Sequence, residues 1–144
     1  MTAPPLPLTV RAVVGETAEA STLVLDDRSG ALAEPVPGQF NMLYPFAVGE
    51  AAISLSAFAD GVLSHTVRSV GPVSEALRRL EPGTQVGVRG PFGRGWPMAR
   101  ARGRDVVLVA GGIGLAPLRP AIHAVLAERA AFGRVLVLDR KSVV

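Results

Sequence analysis

The chain of 144 residues contains no cysteine. That excludes disulfides, thiolate zinc sites, cysteine nucleophiles and any cysteine-ligated iron–sulfur cluster held by this chain alone. Aromatics are scarce and scattered: five Phe, one Trp and one Tyr. Lysine is almost missing, for fourteen of the fifteen basic residues are Arg, and the net charge is only +3. A nucleic-acid surface requires a basic patch with interleaved aromatics, which this composition does not supply. There is no long hydrophobic run either. Val106 to Leu118, thirteen uncharged residues with three glycines, is too short to span a bilayer. Met1 to Val14 has three Pro and no basic segment ahead of its apolar residues, which makes a poor secretory signal. The expectation is a cytoplasmic globular protein with neither membrane nor nucleic acid as partner. A chain of this length folds with about 68–70% of its unfolded surface buried.

From Leu6 to about Pro91 the punctuation is that of β structure. "LTVRAVVGET", "STLVLDD", "GQFNMLYPF", "AAISLSAF", "GVLSHTVRSV" and "TQVGVRG" are short runs bounded by Gly, Pro, Asp or Glu. Such spacing predicts a six-stranded antiparallel barrel or sandwich. Asp60-Gly61 is the strongest hairpin signal in the chain. One helix interrupts the series at "GPVSEALRRL": Pro72 suits a first turn, Val73, Ala76, Leu77 and Leu80 recur at helical spacing, and Arg78 and Arg79 favour its C-terminal end.

Gly93 to Arg104, "GRGWPMARARGR", has four Arg and no acid and reads as a connector, either a solvated linker or a phosphate-attracting segment. An apolar strand, a glycine turn, a helix and a second apolar run, "RVLVL", follow as a βαβ unit with parallel strands. Amides at a helix start favour an anion, and a pyrophosphate can reach them only where the turn lacks Cβ atoms. Gly111, Gly112 and Gly114 meet that need. The usual third glycine is replaced by Pro117, which suits a first helical turn, with Pro120 close behind. Tight packing explains such a turn as well as a nucleotide does.

Read in order, "PGQFNMLY", "AAISLS", "HTVRSVGPVSEAL", "VGVRGPFGRGW" and "VVLVAGGIGLAPLRPAI" resemble the ferredoxin–NADP reductase superfamily. The likeness is greatest to the FAD/NAD(P)-binding gamma subunits of cytoplasmic nickel–iron hydrogenases and sulfhydrogenases, relatives of the dihydroorotate dehydrogenase electron-transfer subunit. The resemblance implies a six-stranded antiparallel Greek-key FAD-binding barrel over residues 1–98. The first βαβ unit of an incomplete NAD(P)-binding domain would follow over 99–144.

The same resemblance implies the site. Ile53 and Ser54 match the end of a flavin motif whose Arg is replaced here by Ala51, so the cation for the FAD phosphate is expected from Arg68 or Arg89. Thr66, Val67 and Arg68 match the strand along the ribityl chain. Gly71, Val73 and Ser74 match the turn and helix start aimed at the FAD phosphates. Gly90 to Gly93 match the loop closing the barrel, and Gly111, Gly112, Gly114 and Pro117 match the NAD(P) pyrophosphate turn. With both cofactors bound, hydride would pass between nicotinamide and FAD, and electrons would go singly to an iron–sulfur or hydrogenase subunit, since no iron–sulfur cluster belongs to this chain. No side chain is required as acid or base. His65 and His123 have no second ligand at metal spacing and read as packing or surface residues.

"RKSVV" departs from the family pattern, so the chain reads as a truncated or frame-altered product that binds nicotinamide weakly or not at all. Two strands and one helix cannot cover both faces of a sheet, so Val106 to Val109 and Val135 to Leu138 are expected to leave apolar surface exposed. Three readings stay open: an FAD-bearing electron-transfer subunit, a cofactor-free fragment serving only in folding or subunit docking, and a reductase of the dihydroorotate or sulfite type.

Overall fold

The computed structural model describes residues 4–140. Its strands are β1 (Leu6–Gly15), β2 (Ala20–Asp26), β3 (Phe40–Tyr44), β4 (Ala51–Ala59), β5 (Val62–Arg68), β6 (Gln85–Phe92), β7 (Val106–Gly111) and β8 (Val135–Arg140), and its α-helices α1 (Pro72–Arg78), α2 (Met98–Ala101) and α3 (Leu115–Ala127). The first six strands form a closed barrel in the order β1-β2-β5-β4-β3-β6, antiparallel throughout. That order is the Greek key that the family resemblance implied.

Alternation fixes which side chains enter the barrel. On β5, Leu63, His65 and Val67 are buried while Ser64, Thr66 and Arg68 are not. On β1, Leu8 and Val10 point in. These join Leu23, Leu25, Leu43, Leu55, Val86 and Val88 in one core, which Leu77 of α1 caps, with Val73 and Leu80 packed beside it. Arg78 pins the helix to the β1–β2 turn by donating to Ser21 Oγ at 3.4 Å and the Ala18 carbonyl at 2.9 Å. The β4–β5 hairpin turns at Asp60 and Gly61, both at positive φ, as a two-residue loop demands.

The second unit is smaller. β7 and β8 pair in parallel, Val106 with Val135 through Gly111 with Arg140. The Asp105 carboxylate joins their starts, accepting from the Arg134 amide at 2.8 Å and its Nε at 2.9 Å. Along α3, Ala116, Ala121 and Val125 are buried, as are Leu108 and Ala110 of β7, whereas Val107 is 60% exposed, Val109 67%, Leu136 51% and Leu138 47%. One face of β7 is thus covered and the other bare, while β8 is exposed on both faces, Val137 included at 41%; exposed apolar surface on both strands is as expected from the element count. Lys141 to Val144, which include the departure from the family pattern, lie outside the described residues.

Two sequence expectations need correction. The helix begins at Leu115, which keeps Pro117 in its first turn but puts Pro120 in its second. There it forgoes a donor to the turn before it instead of replacing an already orphaned one. The Gly93–Arg104 segment is more than a solvated linker. Its arginines are exposed, but it contains α2, and the Trp96 amide donates to the Pro37 carbonyl at 2.7 Å. Gly38 permits that approach: a Cβ there would lie 2.8 Å from the Trp96 ring.

Candidate functional site

Ile53 and Ser54 occupy the first half of β4, and Thr66, Val67 and Arg68 the second half of β5. The two strands are paired from Ala59–Val62 to Leu55–His65, and among the described residues the ladder goes no further. Beyond that pair β4 continues against β3 (Ser54 with Phe40, Ile53 with Asn41). β5 continues against β2 (Thr66 with Thr22, Val67 with Ser21, Arg68 with Ala20). The barrel wall therefore forks, and Ile53, Ser54, Thr66, Val67 and Arg68 line its two prongs. Backbone groups on facing prongs, freed from each other, need partners.

Side chains divide the labour along the fork. Val67 is buried in the core, so only its backbone can meet a ligand. The Thr66 hydroxyl lies 2.9 Å from that of Thr22, which donates to Glu16 at 2.7 Å. The Arg68 side chain is exposed and makes no hydrogen bond or ion pair among the described residues. Arg89, the other candidate cation, is bound through two nitrogens by Glu50, a contact that holds the Glu50 carboxyl below its usual range. Of the two arginines expected to replace the motif cation at Ala51, Arg68 is the one left available.

Gly71, Val73 and Ser74 lie where α1 begins, but the helix is already capped from within. Ser74 Oγ accepts from the Val70 amide at 2.9 Å and the Gly71 amide at 3.0 Å, and donates to the Gly71 carbonyl. Glu75 adds a carboxylate to the same turn, its acidity raised first by the Ser69 hydroxyl and then by Arg79. A buried, fully engaged hydroxyl and a nearby negative charge make this end a weak phosphate acceptor. The Ser74 hydroxyl acts here as a cap within the turn.

The glycine turn has the opposite character. Gly112 has φ +54, a conformation that favours glycine. Gly111 (φ −137) and Gly114 (φ −61) are in conformations open to any residue, and a Cβ at either would meet nothing within 4 Å. Internal packing therefore gives no reason for glycine at 111 and 114, and the turn is a cradle that a Cβ would fill. Pro117 is the third residue of α3, its carbonyl 3.5 Å from Trp96 Nε1. Asp139 and Arg140 are paired with Ala110 and Gly111 at the same sheet end.

Sequence reasoning did not find the buried polar pair beneath the fork. His65 and Asn41 are 0% and 1% exposed. His65 Nδ1 lies 3.2 Å from the Ser54 carbonyl and Nε2 lies 3.3 Å from Asn41 Nδ2. Burial pushes the His65 pKa down to about 4 against the raising effect of the Ser54 and Ile53 carbonyls. The signal was present in the alternation Leu63, His65, Val67, which points all three inward. His123 is exposed and lines a cleft of about 550 Å³ between the β4–β5 hairpin and α3, with Ala57, Phe58, Ser64 and Pro120; none of the candidate cofactor-site residues borders it. No cluster of His, Asp or Glu suited to a metal occurs among the described residues, and no described helix is long and apolar enough to cross a membrane.

A closed Greek-key barrel with a forked β4–β5 ladder, followed by a strand–glycine turn–helix, defines the class: the chain has the ferredoxin–NADP reductase-like FAD/NAD-binding fold. The structure of an NADH-dependent reduced ferredoxin–NADP oxidoreductase superposes on all of this chain and half of its own, with TM-score 0.81 and 22% identity. The flavohem-like FAD/NAD-binding domain of nitric oxide dioxygenase from Vibrio cholerae covers 98% of this chain with TM-score 0.82. More particularly, the chain is homologous to two kinds of subunit. It is 37% identical over 116 residues to a probable dihydroorotate dehydrogenase B (NAD(+)) electron transfer subunit of Methanocella arvoryzae, 81% of this chain and 42% of that one. It is also 37% identical over 105 residues to the sulfhydrogenase 1 subunit gamma of Pyrococcus furiosus, 72% of this chain and 36% of that one. The chain thus spans about two fifths of the length of these relatives. No family model matches it.

Proposed function

We propose that this chain is the flavin-binding part of an electron-transfer subunit, with FAD held in the β4–β5 fork and the pyrophosphate of NAD(P) met by the glycine turn. The units would be a barrel over residues 1–98 and the start of the nucleotide domain over 99–144. The observation that carries the reading is the fork itself: the ladder ends at Leu55–His65, where the flavin-motif residues begin. Ile53 and Ser54 would line one side of the ring system, the backbone of Thr66 to Arg68 the other, and Arg68 would neutralise a phosphate. FAD, when bound, supplies the exchange between two-electron and one-electron carriers. Partner subunits of a cytoplasmic redox complex would hold the iron–sulfur or hydrogenase centre, as no cysteine is present. Homology to both a dihydroorotate dehydrogenase and a sulfhydrogenase subunit supports the class and leaves the terminal donor or acceptor to the partner.

A cofactor-free docking module is the second reading, favoured by Ala51 and by the self-capped start of α1. Titrating the purified chain with FAD separates the two. Stoichiometric quenching of flavin fluorescence, weakened by Arg68→Ala by about tenfold or more at low salt, supports the first; a charge-assisted bond to phosphate contributes about 1.5–3 kcal/mol. Absence of any binding by the folded chain overturns it.

A further inference from the structure

We infer that His65 is a positioning residue, the pin that holds the apex of the fork and so sets the course of the Ile53–Ser54 segment that the proposed flavin site uses. The inference rests on the reading above. It begins with a cost: a fully buried imidazole inside a barrel of Leu and Val is expensive unless its nitrogens are satisfied. Both are, and in a way that selects one tautomer. Nδ1 faces the carbonyl of Ser54 at 3.2 Å, so it must carry the proton and donate. Nε2 is then a bare acceptor facing Asn41 Nδ2 at 3.3 Å, which donates to it. One ring on β5 thereby ties together β4 and β3 at the level where the β4–β5 ladder stops.

The same level of β4 is irregular. Its register against β5 shifts between Leu55 and Ala57, and the Leu55 amide turns the other way, to the Gln39 carbonyl at 3.1 Å. β3 holds β4 at this level through Phe40–Ser54, but no ladder bond ties Ser54 to β5, and the His65 N–H supplies that tie and so fixes how far the two prongs part. The support extends to the next strand. Asn41 Oδ1 is buried without a partner, and a Cβ on Gly90 of β6 would overlap it, so Gly90 leaves room for the amide that orients the imidazole. No flavin, nucleotide or substrate needs to touch His65 for this role; it acts through the Ser54 peptide.

Two variants separate positioning from bulk. His65→Leu keeps an apolar side chain of comparable size and removes both nitrogens; His65→Asn keeps a donor close to the Cβ, near the place of Nδ1. Amide hydrogen exchange is read first, on the chain without ligand. Leu should raise exchange at Ser54–Leu55 and Thr66 by about tenfold or more while β1 and β2 stay protected, and Asn should restore most of the protection. FAD affinity is read second, with Leu expected to lose about tenfold and Asn less than threefold. Unchanged exchange in a folded His65→Leu chain, or equal FAD affinity of both variants and the parent, overturns the inference while the flavin reading stands. A parent chain that binds no FAD overturns the flavin reading instead, and the exchange pattern still decides whether His65 sets the course of β4.

Discussion

At the scale of single residues, two kinds of glycine do different work. Gly90 has φ +146 and faces Asn41 so closely that any Cβ must displace it, whereas Gly111 sits in ordinary extended backbone with open space beside it. Alanine at the two positions should therefore have opposite consequences. Gly90→Ala is expected to cost about 2–4 kcal/mol, from strained backbone and a displaced buried amide. Gly111→Ala should leave the melting temperature within about 2 °C of the parent yet weaken the binding of pyrophosphate, followed by amide shifts of the 111–115 segment. A large stability loss on Gly111→Ala would mean that the turn is glycine for packing after all. This distinction was invisible in the sequence, where "GGIGLAP" and "RGPFG" both read as turns, because what a Cβ would meet depends on chains brought in from elsewhere. His65 was half legible: alternation with Leu63 and Val67 put it inside, but its partners Asn41 and the Ser54 carbonyl come from other strands.

Among the elements, legibility followed the range of the forces. Each strand of the barrel and α1 announced itself through local period and turn chemistry, and Asp60-Gly61 fixed a hairpin, because those preferences act over a few residues. The Gly93–Arg104 segment was misjudged because its structure is set at long range, by Trp96 reaching Pro37 and Gly38 on one side and Pro117 on the other. That contact links the barrel to the start of α3. Trp96→Ala should cost about 1–2 kcal/mol, in keeping with an indole only half removed from water, and it should raise amide exchange in α3 more than in β2. Equal protection of α3 with and without the indole would reduce Trp96 to a surface residue. The fork was legible only as a motif, since nothing local in "AAISLS" or "HTVRS" says that two adjacent strands part company.

For the molecule as a whole, the barrel carries most of the buried core, and the imidazole deep inside it links stability to pH. His65 is neutral in the fold, its pKa lowered by burial to about 4 from an ordinary 6.5. The unfolded chain takes up a proton below pH 6.5 and the folded barrel does not until about pH 4, so unfolding binds protons in that window and stability falls as the pH falls. The full effect is about 3 kcal/mol, reached near pH 4 and absent above pH 7. Below that window a second loss begins, as the carboxylates held acidic by arginine neighbours become protonated, Asp26 at about 2 beside Arg28, and Glu50 and Asp105 likewise lowered. Urea unfolding followed by circular dichroism at pH 7.5 and 4.5 should therefore give a lower midpoint at the acid end for the parent. His65→Leu, having nothing to titrate there, should flatten the dependence between pH 6.5 and 4 and retain the steeper fall below it. A parent whose midpoint does not move across that window would place the imidazole in contact with water, and the barrel interior beneath the fork would then have to be hydrated rather than sealed by Asn41 and Ser54.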